Sequence, residues 1–302
     1  MVTFPLFQFL RWLLVLVTGR GHDRSDWMNK FHHKLSFRLH KMLPMFGITG
    51  VQKIPSPGMD GKFLYVRAED GGVAHQMIMY REYEPYESSL VRKYIEPGMI
   101  VYNIGANVGY YTLLASECVG NRGKVYAFEP APENFELLER NVSENKLTNA
   151  EIFQIAVGSK PGSATLSLSS TNSGDHRLQN ITSRDHIVVS VVSIDSFISE
   201  GHVAPDAIIM DVQGAEFDVI QGASSLIDSN NSLILFAEFW PNGLNERNTD
   251  GARKSLEAIE QAGMSMNIID EKRRELTFAL TESLLKSVTG DSEVNLLCIR
   301  RL

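Results

Sequence analysis

Cysteine is nearly missing from this sequence: among 302 residues only Cys118 and Cys298 carry thiols, one in an apolar helical pattern and one in an apolar strand pattern. Two such residues exclude a disulfide framework, and they read as small core residues in a reducing compartment rather than as a bridge or a metal pair. Bases are also in short supply, 29 Lys+Arg against 36 Asp+Glu, for a formal charge of -7. The body has no broad basic stripe, which argues against a nucleic-acid partner. No internal repeat and no collagen or coiled-coil period occurs. Long apolar runs are missing as well. The best, Phe4 to Val17 (FPLFQFLRWLLVLV), carries Arg11 at its centre and is shorter than the about 17 to 25 residues a spanning helix needs. It lacks the positive n-region and the small-x-small site of a secretory signal.

What is present is unevenly charged. Residues 1–41 hold seven Lys+Arg and two acids, a local +5 that leaves -12 for the remainder. We read residues 1–43 as a basic, aromatic-rich helical extension. Such a helix either lies in a membrane interface through residues 1–41, bases toward anionic headgroups, or packs over the body or in a homo-oligomer contact. The implied location is cytoplasmic, at the membrane periphery if the helix meets lipid. His22, His32, His33 and His40 lack a supporting carboxylate pattern and read as surface histidines, not metal ligands.

Residues 44–98 read as a strap or hairpin and a lead-in helix. Prolines and glycines crowd positions 44–60, GKFLYVR reads as a strand, and REYEPYESSLVRKYI as a helix with Leu90, Val91 and Ile95 inward. Residues 99–302 then alternate apolar strands with helices: MIVYNIG, NVGYYTLLASECV, GKVYAFEP, PENFELLERNVSEN, AEIFQIAV, PDAIIMDVQG and SLILFAEF. Strands without strict polar alternation, separated by helices, predict a mostly parallel, doubly wound α/β sheet covered on both faces. MSMNIIDE and EVNLLCIR read as two late strands pairing antiparallel at its edge.

The strongest chemical signal is IGANVG. Gly105 ends the first strand, Gly109 opens the next helix, and Glu129 ends the following strand about 20 residues on. A carboxylate there accepts hydrogen bonds from both hydroxyls of a ribose, or it caps the helix after Pro130; neither role excludes the other. Asn107 stands where a dinucleotide fold needs its second glycine, and no phosphate-binding lysine follows, so the turn suits an adenosyl group without a pyrophosphate. An NAD-dependent oxidoreductase conflicts with Asn107.

Together EYEPYESSLVRKYIEPGMIVYNIGANVGYYTLLA, VYAFEPAPENFELLERNVSEN, IAVG, TNSGDHRL, MDVQGAEFDVIQGA and LILFAEF resemble the FkbM family of S-adenosylmethionine-dependent methyltransferases. The resemblance implies a class I (Rossmann-like) methyltransferase fold with a seven-stranded sheet, an N-terminal helical extension, and S-adenosylmethionine as cofactor. It implies cofactor contacts at Gly105, Asn107, Gly109 and Glu129, with residues 154–157, Ala156 among them, beside the adenine. It also implies a hydroxyl acceptor on a sugar, glycan or other small natural product. Three positions depart from the family text: Asn103 for aspartate, Gln213 in place of the glutamate of DVEG, and Ile209 where a base often stands.

An alcohol must lose its proton during attack, which a nearby carboxylate or imidazole assists. Asp211, ending the fourth strand, and His176 are the catalytic candidates; Asp211 otherwise orients the cofactor and His176 is otherwise a surface histidine. Asn172, Asp175 and Arg177, in the polar loop SSTNSGDHRLQN, and Glu238, ending the fifth strand, are the acceptor-binding candidates, a solvated loop being the alternative. Glu216 reads as a cap. No metal is expected, since no tight ligand set supports one. The competing class is a binding or scaffolding protein that kept the fold and lost transfer chemistry, as Asn103 and Gln213 suggest.

Overall fold

The computed structural model describes residues 26–300. The apolar segment Phe4 to Val17, and with it most of the stretch read as membrane-facing, lies outside the described residues. Among the described residues no helix is long and apolar enough to cross a membrane. The chain enters through α1 (Asp26–Lys41) and a hairpin of β1 (Val51–Pro55) and β2 (Phe63–Arg67), then α2 (Val73–Tyr80) and α3 (Pro85–Tyr94). Ser36 of α1 hydrogen-bonds Tyr80 of α2, and the buried rings of His40 and His75 stand 4.9 Å apart, so this half of the extension packs on the body.

The body follows as β3 (Ile100–Ile104), α4 (Tyr110–Val119), β4 (Lys124–Phe128), α5 (Pro132–Glu144), β5 (Ala150–Phe153) and β6 (Ala156–Val157). After β7 (Gly162–Leu168) and β8 (Asp185–Val192) come α6 (Ile194–Ser199), β9 (Ala207–Met210), α7 (Glu216–Gln221), α8 (Ser224–Ser229) and β10 (Ile234–Phe239). The chain ends with α9 (Pro241–Arg247), α10 (Gly251–Gln261), β11 (Met264–Asp270), β12 (Glu275–Ala279), α11 (Thr281–Ser287) and β13 (Val294–Arg300). The sequence reading expects seven strands; the main sheet has eight, ordered β12-β11-β13-β10-β9-β3-β4-β5. Strands β5, β4, β3, β9 and β10 run parallel, and β13 pairs antiparallel with both β10 and β11. The extra strand is β12, a five-residue strand at the sheet edge whose residues are mostly exposed. AEIFQIAV is not one strand: β5 ends at Phe153, and β6 joins β8 and β7 in a separate three-stranded sheet.

Side chains that alternate along each central strand fall into two cores. Tyr102, Phe128, Met210 and Leu235 pack on one face with α6, α7 and α10. Val101, Val125, Ile209 and Phe236 pack on the other with α3 and α4. Burying each such side chain is worth about 1.5 to 3 kcal/mol, and two-sided burial is why these strands read as unbroken apolar runs. The chain leaves β3 toward β4 and β5, then returns to β9 on the opposite side. The crevice between the carboxyl ends of β3 and β9 is therefore the place where such sheets bind ligands.

Candidate active site

The turn after β3 is set by close backbone contact. Gly105 and Ala106 both donate to the carbonyl of Phe128, at 2.9 Å each. A β-carbon on Gly105, whose φ is +78°, would stand 1.9 Å from the carbonyl oxygen of Asp211, so only glycine lets the β3 and β9 turns touch. Gly109 (φ +93°) opens α4, and a β-carbon there would meet Leu138 at 2.6 Å. The fully buried Asn141 of α5 donates to the carbonyls of Val108 and Tyr65 at 2.7 and 3.0 Å, bracing the turn against β2.

Glu129 is buried at the end of β4. One carboxylate oxygen accepts from the Asn107 backbone N–H at 2.8 Å, the other from Ala131 N–H at 3.0 Å and from Asn134 Nδ2 at 3.5 Å. Burial outweighs these hydrogen bonds and pushes the carboxyl up to about 7. Beside it, Asn107 sits at φ +50° with its Oδ1 buried and without a hydrogen-bond partner among the described residues.

Two contiguous cavities flank this turn. The smaller, about 50 Å³, is walled by Glu129, Ala156, Val157, Leu166, Leu178 and His176. The larger, about 570 Å³, takes in Asn172, Asp175, Arg177, Glu238 and the tyrosines of α4. Gly105, Asn107, Gly174, Asp211 and Gln213 line both. Of the cofactor, acceptor and catalytic candidates read from the sequence, Gly109, Gln154 and Ile155 line neither; Gly109 holds the start of α4.

Asp211 faces solvent within the cavities, yet surrounding protein raises its carboxyl above the ordinary range. The Gln213 amide nitrogen donates to Asp211 Oδ1 at 2.7 Å and to Glu238 Oε2 at 2.9 Å. Glu238 is raised well above its usual value, first by burial and then by the Asp211 charge. Glu216 closes the turn by accepting from Val212 and Gly214 N–H. Oxygens of Asp211, Glu216 and Glu238 lie within 4.8 Å of one another, an arrangement able to hold a cation, although the Gln213 amide already spans two of the three carboxylates. His176 accepts the Ser169 N–H at Nδ1, 2.9 Å away, and burial lowers its basicity. The ring nitrogen that would take a proton is thus already engaged.

The loop bearing Asn172 to Arg177 is tied down. Ser173 N–H donates to Asp70 at 2.6 Å, Gly71 N–H to the Thr171 carbonyl at 2.9 Å, and Asn134 Nδ2 to the Ser173 carbonyl at 3.0 Å. Asp175 pairs with Arg177 and Arg184, while Arg177 reaches Glu246 at 3.4 Å and covers the Trp240 ring at 4.3 Å.

Sequence reasoning misses a further acidic and aromatic wall. Glu84, Glu87, Asp291 and Glu293 line the larger cavity with Tyr83, Tyr110, Tyr111 and Trp240. Glu84 is held at φ +39° before Pro85, and its carboxylate accepts the Tyr111 hydroxyl at 2.6 Å. Burial raises Glu84 and Glu87, and their mutual repulsion adds to it for Glu87. The signal available was Glu84-Pro85 itself, since the residue before proline is kept out of the helix and its side chain is free to point elsewhere.

Residues 103–266, just over half of the chain, match the profile of the family described as the methyltransferase FkbM domain. A curated relative, the hexuronic acid methyltransferase AglP of Haloferax volcanii, is 23% identical over 137 residues, 45% of this chain and 54% of the relative. The chain thus aligns with about half the length of that relative. Among solved structures, the methyltransferase FkbM of Methylobacillus flagellatus aligns with 97% of this chain and 58% of its own at 13% identity and a TM-score of 0.43. A putative O-methyltransferase of Klebsiella pneumoniae aligns with 72% of this chain and 79% of its own at 11% identity and a TM-score of 0.43.

Proposed function

We propose that this chain, which belongs to the FkbM methyltransferase family, is an S-adenosylmethionine-dependent enzyme that methylates a hydroxyl oxygen of a sugar, glycan or other small natural-product acceptor. The observation that carries this reading is the meeting of the two cavities at Asp211 and the Gly105 turn. The acceptor named for the relative, a hexuronic acid, contributes only its class, a hydroxylated sugar. We read the parallel strands with β13 and β11 as the class I methyltransferase sheet, and β12 as an added edge.

The residues fit the cofactor. The apolar slot formed by Ala156, Val157, Leu166 and Leu178 suits an adenine ring, and Glu129 Oε2, which accepts only the Asn107 N–H, keeps a second lone pair for a ribose hydroxyl, while on Oε1 the long contact from Asn134 can give way to another. The orphan Asn107 Oδ1 offers an acceptor to a ligand donor. S-adenosylmethionine, when bound, supplies a methyl group on a sulfonium sulfur that an oxygen displaces in line. Holding that oxygen at attack distance is most of the catalytic demand. Asp211 Oδ1 is held by Gln213, which leaves Oδ2 to take the proton of the acceptor hydroxyl. Its raised pKa makes it a better base than an exposed aspartate. The test is incubation with methyl-labelled S-adenosylmethionine and a panel of sugar alcohols, with the label traced to oxygen. Label on nitrogen or carbon, or no binding of the cofactor, contradicts the reading.

A further inference from the structure

One buried amide stands between the cofactor slot and the acceptor loop. Asn134, in the first turn of α5, donates through Nδ2 to the Ser173 carbonyl at 3.0 Å, and the same nitrogen reaches Glu129 Oε1 at 3.5 Å. An amide nitrogen carries two N–H groups, so both contacts can be made at once. The first is an ordinary hydrogen bond; the second lies beyond the usual range of about 2.7 to 3.2 Å.

The loop at residues 172–177 hangs from two handles on Ser173. Its N–H donates to Asp70 at 2.6 Å, and its carbonyl receives Asn134. Asp70 stands ahead of α2, also accepts the Ala74 N–H at 3.3 Å, and lines neither cavity. Asn134 lines the smaller cavity and touches Glu129, so only this second handle is exposed to what binds there. On either side of Ser173, Asn172 lines the larger cavity and Gly174 lines both. A β-carbon on Gly174 would stand 3.5 Å from Asn107 Nδ2, so the loop also rests on the Gly105 turn. Where the Ser173 carbonyl sits therefore shapes the wall that faces an acceptor.

A ribose hydroxyl arriving at Glu129 changes what Asn134 can do. Oε1 already accepts the Ala131 N–H at 3.0 Å, so the hydroxyl takes the lone pair that the long Asn134 contact uses. The displaced N–H has a new partner at hand, because a hydroxyl that donates to a carboxylate still offers acceptor lone pairs. Leaving that N–H buried and unpaired would cost about 1 to 3 kcal/mol, which favours an amide held between the ribose and Ser173.

We propose that Asn134 is a positioning residue that joins the two halves of the site: with ribose on Glu129, its amide ties the ribose to the Ser173 carbonyl and seats residues 172–177, so that the acceptor wall forms after the cofactor binds. The inference rests on the methyl-transfer reading and adds an order of binding to it. Such coupling is reciprocal, so a seated loop also tightens the cofactor.

The experiment is hydrogen exchange on the full chain, free and saturated with S-adenosylhomocysteine. It compares the wild type with Asn134→Ala and with the near-isosteric Asn134→Leu, which serves if the alanine variant does not fold. In the wild type the ligand should slow exchange at residues 169–177 about five-fold or more. In the variants, with saturation confirmed by calorimetry, the ligand should slow exchange at the Gly105 turn and leave residues 169–177 at their free rate. A constant brace behaves differently: its loss loosens the loop with and without ligand and preserves the ligand-dependent gain. That result, or a wild-type loop indifferent to the ligand, overturns the inference alone. Failure of S-adenosylhomocysteine to bind the wild type overturns the methyl-transfer reading, and the inference with it.

Discussion

One side-chain amide holds two acids in register: Gln213 Nε2 donates to Asp211 at 2.7 Å and to Glu238 at 2.9 Å. A neutral donor here lets two carboxylates share a wall of the cavity without meeting. Gln213 itself sits at φ +50°, a left-handed conformation that few side chains adopt without support. Replacing Gln213 with Glu should put a third negative charge against the pair. We expect a lower melting temperature at pH 8 and a smaller loss at pH 5.5, where the added carboxyl shares protons with its neighbours; differential scanning calorimetry at the two values checks it.

Glu129 is expected to carry much of the cofactor's affinity. Two hydrogen bonds from ribose hydroxyls to a carboxylate are worth about 3 kcal/mol together, so Glu129→Ala should weaken S-adenosylmethionine about 100-fold by calorimetry. A change below three-fold would leave Glu129 as a cap for α5 only.

The buried acids set a pH trend. Glu129 is held at about 7, well above an ordinary glutamate, and Glu84 and Glu216 are raised as well, all chiefly by burial. The folded chain therefore keeps protons that the unfolded chain has released, and stability falls as pH climbs from the usual carboxylate range to about 7. At about 1.4 kcal/mol per pH unit, Glu129 alone lowers it by about 3 kcal/mol across that interval. A cationic cofactor reverses the preference, so the melting-temperature gain from S-adenosylmethionine should grow between pH 5.5 and pH 8. A gain independent of pH would place the cofactor away from these carboxyls.

Gly105→Ala should be far more damaging than Gly120→Ala. Both glycines have positive φ, but a β-carbon at Gly120 meets nothing within 4 Å, whereas at Gly105 it would strike the Asp211 carbonyl. The Gly120 change should cost about 1 to 3 kcal/mol for the backbone conformation alone, and the Gly105 change should add the steric clash to a cost of that kind and abolish cofactor binding as well. Chemical denaturation of the two variants in parallel gives the comparison.

Transfer should persist after exhaustive chelation. Glu216 is saturated by backbone N–H groups, and Gln213 already satisfies the facing oxygens of Asp211 and Glu238. Loss of activity with EDTA and recovery with magnesium would reassign the three carboxylates as ligands.

The parts legible in the sequence are those whose signal is local. The Gly105 turn and Glu129 lie within one strand, turn, helix and strand, so spacing alone relates them. The eighth strand is not legible because β12, ELTFA, is only five residues long and lies mostly exposed at the sheet edge, so its apolar residues form no run that sets it apart from a turn. AEIFQIAV reads as one strand, since nothing in its composition says that Gln154 and Ile155 turn the chain into a second sheet. The acidic wall is the largest omission. Glu84 and Glu293 are some 200 residues apart in sequence, and only the strand order that sets β13 beside β10 gathers them into one cavity.

The most direct measurement is a crystal structure of the chain soaked with S-adenosylhomocysteine. The account requires adenine against Ala156 and Leu178, ribose hydroxyls on the Glu129 carboxylate, and the sulfur at the Gly105 turn, facing the larger cavity beside Asp211. Ligand density elsewhere, or a ribose that makes no hydrogen bond to Glu129, would contradict it.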